Sequence, residues 1–124
     1  MKEEILRRTL EFAKKSIALI NKLPNNVVNQ ILKKQYLRAA TSVGSNYREA
    51  CEAESRKDFV HKLGVYKKES RESGYWIELI GYQNPKLKED LEFLTKEAKE
   101  FLLMFSKSIK TSKERICSGK QVNA

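Results

Sequence analysis

Apolar residues recur every three or four positions along almost the whole chain, and that period restricts it to helices. Leu6, Leu10, Ala13, Ile17 and Ile20 make one stripe, with Ile5, Phe12, Leu19 and Leu23 beside it. Arg7, Arg8, Glu11, Lys14, Lys15 and Lys22 fill the opposite side. At 3.6 residues per turn this spacing gives a wide buried face, whereas no stretch sustains the alternation that a half-buried strand needs. Leu23-Pro24-Asn25-Asn26 stops the first helix, because proline disfavours helix in the residue before it and asparagine suits turns and N-caps. A second helix is expected from about Val27 to Ala53, striped by Val28, Leu32, Tyr36, Ala39, Ala40, Val43, Tyr47 and Ala50. Ser55 with Asp58 three residues on resembles a capping box and opens a third, through Phe59, Leu63, Tyr66, Ser70, Ser73, Ile77 and Ile80. Gln83-Asn84-Pro85 ends it, and Leu87, Leu91, Leu94, Ala98, Phe101, Phe105 and Ile109 stripe a fourth.

Long amphipathic helices on short connections pack as an antiparallel up-down-up-down four-helix bundle. A chain of 124 residues with 40% hydrophobic content suffices for one such core. The expected division is a bundle over 1–113 and a frayed tail over 114–124, where the repeat is lost.

Charge narrows the partners. Lys and Arg number 25 against 16 Asp and Glu, a formal +9, which favours polyanions such as RNA or DNA. Residues 1–40 hold nine basic and three acidic residues, so the excess is concentrated there. Cys51 and Cys117 form no C-x-x-C pair and read as reduced thiols. MKEEILRRTL has charges where a signal peptide has its apolar run, and FLLMF is too short to cross a bilayer. The expected setting is cytoplasmic, with no membrane partner.

The stretch TSVGSNYREACEAESRKDF, residues 41–59, is the best candidate for chemistry. Its glycine lacks the G-x-x-x-x-G-K-[ST] spacing and follows no strand. The helical stripe runs straight through Gly44, which therefore reads as a site of close helix packing that offsets its poor helix propensity. Asn46 and Glu49 flank that stripe, and Glu69 and Glu72 lie on the next helix. A di-metal carboxylate site needs Glu-x-x-His on two helices, and the chain has one histidine, His61. Cys51 has no base near it in sequence. No catalytic residue, metal or cofactor is expected.

What remains is a structural polar network. If the second and third helices turn near Ser55, Arg38 faces Glu72, Ser42 lies near Lys68 and Glu69, and Asn46 lies near Val65. With Glu49, these residues read as devices that fix helix register more than they add stability.

The segment QYLRAATSVGSNYREACEAESRKDFVHKLGVYKKESRESGYWIELI closely resembles the signature of bacterial 23S rRNA intervening-sequence proteins. The matching positions are Arg38, Ala39, Ser42, Val43, Asn46, Glu49, Ala50, Ser55, Asp58, Phe59, Ser70, Glu72 and Ile80. Tyr47 departs from the pattern, where an aliphatic residue is usual. The resemblance implies a four-helix bundle assembling into a ring, a homopentamer, with no catalytic residues. It also extends to the accessory protein of diversity-generating retroelements, a basic ring that engages nucleic acid and a reverse transcriptase.

Two surfaces follow from the residues themselves. If the first turn lies near Pro24 and Asn25, Lys15 sits beside Lys34 with Lys14 and Lys33 close by. Arg7, Arg8 and Lys22 extend the same face into an expected phosphate-binding strip. Leu37, Trp76, Tyr82, Phe93, Leu103 and Met104 fall outside the main seams and point to self-association. The leading expectation is a non-enzymatic basic oligomer that binds RNA or DNA, as an adaptor; the alternative is a protein-interaction scaffold.

Overall fold

The computed structural model describes the backbone of residues 1–117 and the side chains through residue 110. Its helices are α1, Lys2–Ile20; α2, Val27–Cys51; α3, Arg56–Gln83; and α4, Lys88–Cys117, entered through a 3-10 turn at Pro85–Leu87. No strand occurs among the described residues. Of the tail expected over 114–124, the part to Cys117 continues α4, and 118–124 lie outside the described residues.

The helix starts follow from their caps. Asn26 and Ser55 are both extended, and their side-chain oxygens accept the backbone N–H groups of Asn29 at 2.8 Å and Asp58 at 3.0 Å. Each satisfies a donor that the first helical turn leaves without a partner. The second helix ends at Cys51, short of the expected Ala53. The Glu52 N–H folds back onto Arg48 and Glu49, and that of Ala53 onto Ala50. This tightened turn lets the chain reach the extended Ser55.

All four helices contribute to one core. α1 packs against α2 and α4, and α3 against the same two. Phe12 and Phe101 meet edge to face at 5.2 Å, while the Tyr66 hydroxyl donates to the Phe101 carbonyl at 2.9 Å. Contacting residues run in opposite chain order on neighbouring helices. Between α2 and α3 they are Asn29 with Asn84, Arg38 with Glu69 and Glu72, and Glu49 with Lys62. Between α1 and α4 they are Arg8 with Glu97, Lys15 with Phe93, and Lys22 with Asp90.

The buried face of α1 differs from the expected stripe. It consists of Ile5, Thr9, Phe12, Ser16 and Leu19, whereas Leu10 and Ile17 are 45% and 46% exposed. The cause is polar satisfaction. Ser16 Oγ pairs with the Tyr36 hydroxyl at 2.6 Å and Thr9 Oγ1 donates to the Leu6 carbonyl at 3.2 Å, so both hydroxyls are buried without leaving a polar atom unpaired. The stripe of Leu6, Leu10, Ala13, Ile17 and Ile20 is a second apolar face beside the buried one. Close approach to α2 is possible because position 44 is glycine: an added Cβ would lie 3.1 Å from Thr9 Oγ1 and 3.2 Å from Thr9 Cβ.

Candidate functional site

The polar network assembles around Arg38. Its guanidinium lies 3.3 Å from Glu69 and 2.5 Å from Glu72. Glu69 is the more deeply buried of the two acids, at 6% exposure, so Arg38 bridges a buried and a half-buried carboxylate across the α2–α3 seam. Burial alone pushes the Glu72 carboxyl up, but hydrogen bonds from Arg38 and the Trp76 indole N–H hold it below the usual carboxylate range. The remaining expected members do not bridge helices to these acids. Ser42 Oγ donates to the Arg38 carbonyl at 2.7 Å and Asn46 Nδ2 to the Ser42 carbonyl at 2.8 Å, both within α2. Short polar side chains in a helix reach the carbonyl four residues back more readily than a neighbouring helix. Glu49 approaches Lys62 at 3.9 Å instead.

A second strut was not legible as one. Arg8 Nε donates to Glu97 Oε2 at 3.2 Å, its terminal nitrogen pairs with Glu97 Oε1, and Glu4 lies 3.4 Å away. The hydrogen bond to Glu97 holds the Arg8 guanidinium above its ordinary value, against the opposing effect of burial. A third is the buried amide pair of Asn29 and Asn84, in which each Nδ2 donates to the other's Oδ1 at 2.9 Å. For the amide pair the available signal was Asn29 standing at helical spacing among the apolar residues of α2; the Arg8 pairing had none.

These struts divide the expected phosphate strip. Arg8 pairs with Glu97, Lys22 Nζ with Asp90 at 2.9 Å, and Lys15 Nζ sits 4.0 Å from the Phe93 ring centre, all toward α4. Lys15 is therefore turned toward α4 and not toward Lys34 on α2. Ser16 meets Tyr36, three residues beyond Lys33, the position expected opposite it. Side-chain pairing sets this register, not the midpoint of the turn. Arg7, Lys14 and Lys34 are exposed and Lys33 is half-buried, and these four have no ion-pair partner among the described residues. The groove between α1 and α4 is charge-balanced, with Arg7, Arg8 and Lys15 facing Glu4, Glu11 and Glu97.

Of the expected self-association residues, Tyr82, Leu103 and Phe93 are exposed, while Leu37, Trp76 and Met104 are half-buried. Leu10, Ile17, Val27, Val28, Ile31 and Tyr75 join the exposed set. His61 is exposed, and Cys51 is half-buried, where burial pushes its thiol up. No group of three metal-ligating side chains and no helix long and apolar enough to cross a membrane occurs among the described residues.

A family model described as 23S rRNA-intervening sequence protein matches residues 1–107. The chain belongs to this family. As an intervening-sequence protein it is also similar to a crystal structure from Bacteroides thetaiotaomicron, described as a protein with unknown function from the S23 ribosomal protein family. The two are 35% identical with a TM-score of 0.80, over 89% of this chain and 99% of that one. No curated protein sequence matches. The match spans all of α1 to α3 and most of α4, so both the Arg38 network and the exposed cations lie inside the family's extent.

Proposed function

We propose that this intervening-sequence protein is a non-enzymatic, self-assembling protein that binds RNA or DNA, acting as an adaptor linked to an rRNA intervening sequence or a retroelement. The observation that carries the reading is the set of cations left over after internal pairing. Arg7, at the edge of the charge-balanced α1–α4 groove, and Lys14 share the outer side of α1, and Lys33 and Lys34 stand in the second turn of α2; none of the four makes an ion pair among the described residues. Unpaired cations on a chain of net charge +9 attract phosphates and release counterions on contact. The opposite chain order of contacts on neighbouring helices supports an antiparallel up-down-up-down bundle. Exposed Leu10 and Ile17 on α1, with Tyr82 on α3 and Leu103 on α4, support assembly of copies into a ring, a pentamer by family resemblance.

The test is retention of RNA and DNA by the full chain at several salt concentrations, with its mass in solution. Arg7, Lys14, Lys33 and Lys34 changed together to glutamine should keep the fold and flatten the salt dependence by about 0.7–0.9 per lost phosphate contact. Unchanged affinity and slope would reject these cations as the contact surface. A monomeric mass with no retention of either nucleic acid would assign the exposed apolar side chains to another protein chain, the scaffold reading.

A further inference from the structure

We propose that the outward face of α3 holds an unpaired base of single-stranded nucleic acid against Tyr75, with its phosphates on Lys68 and Arg71. The inference rests on the nucleic-acid reading above and adds a ligand class and a site on a different helix. An open groove of about 630 Å³ lies there, lined by those three residues with Gly64, Lys67, Glu72 and Trp76. That volume is within the range of small-ligand sites.

The charge lining this groove is mainly positive, with exposed Glu78 one turn beyond Tyr75. Lys68 and Arg71 are exposed with no ion-pair partner among the described residues, and Lys67 Nζ lies 4.9 Å from the Phe105 ring centre on α4. The one acid lining the groove, Glu72, already accepts from Arg38 at 2.5 Å and from the Trp76 indole N–H at 3.4 Å. Its charge is thus engaged at the α2–α3 seam, and the groove keeps a positive excess.

Ring exposure selects the ligand. Tyr75 is 57% exposed, and it meets Trp76 at 5.1 Å with the ring planes 72° apart. Rings in that arrangement do not cover each other face to face, so ring surface of Tyr75 stays open to solvent. An aromatic face beside cations that can track a phosphate backbone is the combination that binds single strands without reading sequence. A duplex keeps its base faces stacked internally and cannot use the ring. An acidic peptide would use the cations and leave the ring face empty, so the nucleotide is favoured.

Trp76 is the chain's one tryptophan and reports from inside the groove. Its emission in the full chain is followed during titration with single-stranded oligoadenylate, the same strand paired with oligouridylate, and polyglutamate. Single-stranded oligoadenylate should change the emission saturably and the duplex should not. Tyr75→Ala should weaken binding by roughly 5- to 150-fold, the range of one base–aromatic stack, and Tyr75→Phe should restore it. Lys68→Gln with Arg71→Gln should lower the salt slope by about 1.4, the value for two phosphate contacts on a single strand. The side chains altered are exposed, and circular dichroism confirms that each variant folds. Oligoadenylate retained with unchanged Trp76 emission and unchanged Tyr75→Ala affinity overturns this site and leaves the broader reading standing. Absence of any retention overturns both, and equal binding of polyglutamate replaces the nucleotide with an acidic protein segment.

Discussion

Removing Arg8 separates the two roles that its charge could have. Glu97 is 7% exposed, and Arg8 meets both of its carboxylate oxygens across the α1–α4 contact. Arg8→Ala strands that carboxylate between two helices. Breaking a fully buried pair costs about 3–5 kcal/mol, but the Arg8 side chain keeps 21% exposure and water can enter the vacated space. We therefore expect about 2–3 kcal/mol, part of it from lost packing of the arginine stem. For a domain of this size that is a fall in Tm of roughly 10 °C. Arg7→Ala is the matched control, since Arg7 is exposed one position earlier and should change stability by about 0.5 kcal/mol or less. Replacing both members, Arg8→Met with Glu97→Leu, should recover most of the loss, because no charge is left stranded. Thermal melts followed by circular dichroism read all four proteins. Equal Tm for Arg8→Ala and Arg7→Ala would refute the strut. Nucleic-acid retention should respond in the opposite sense, with Arg7→Ala weakening it and folded Arg8→Ala leaving it near the parent.

Gly44→Ala gains about 1 kcal/mol of helix propensity but forces a Cβ to within 3.1 Å of Thr9 Oγ1, and overpacking of this kind costs about 1–3 kcal/mol. A net loss of about 1 kcal/mol is expected, and Thr9→Ala in the same chain should relieve it only in part, since it removes the Oγ1 contact but keeps the Cβ at 3.2 Å; a stabilised single variant would show that the α1–α2 approach is not limiting. Acid titration tests the Arg38 network. The Glu72 carboxyl is held below its ordinary value, so its stabilisation is complete above the unfolded-state pKa and disappears as pH falls through the folded one. Glu72→Gln should lower stability at neutral pH and flatten the acid limb of the stability curve, whereas an unchanged acid limb would remove Glu72 from the linkage.

Helix number, caps and breaks were readable from the sequence because they depend on local chemistry. Asn26 and Ser55 cap as their residue types dictate, and Pro24 and Pro85 lie in the connections where a proline stops a helix. The pairing of Arg38 with Glu72 was readable too, since a short turn fixes which residues of α2 and α3 share a level. The buried face of α1 was not. Periodicity weighs side chains by hydropathy alone, so Thr9 and Ser16 counted against their own face, although Tyr36 and the Leu6 carbonyl satisfy them inside the core.

Charge behaves in the same way. A sequence counts Arg8, Lys15 and Lys22 as equal to Arg7, Lys14 and Lys34, because formal charge carries no information about who neutralises it. The structure separates them: the first three are spent on Glu97, Phe93 and Asp90 of α4, and the others have no ion-pair partner among the described residues. On α3 the reverse holds. Residues 41–84 carry seven bases and seven acids and look neutral as a segment. Glu69 and Glu72 turn toward Arg38, however, and Lys68 and Arg71 turn outward beside Tyr75. Internal pairing thus leaves the groove beside Tyr75 with a positive excess inside a balanced stretch, and it removes charge from the stretch that looked most basic. Affinity for a polyanion should follow this residual charge, so substitutions at Lys68 and Arg71 should alter it more than substitutions at Arg8 and Lys22.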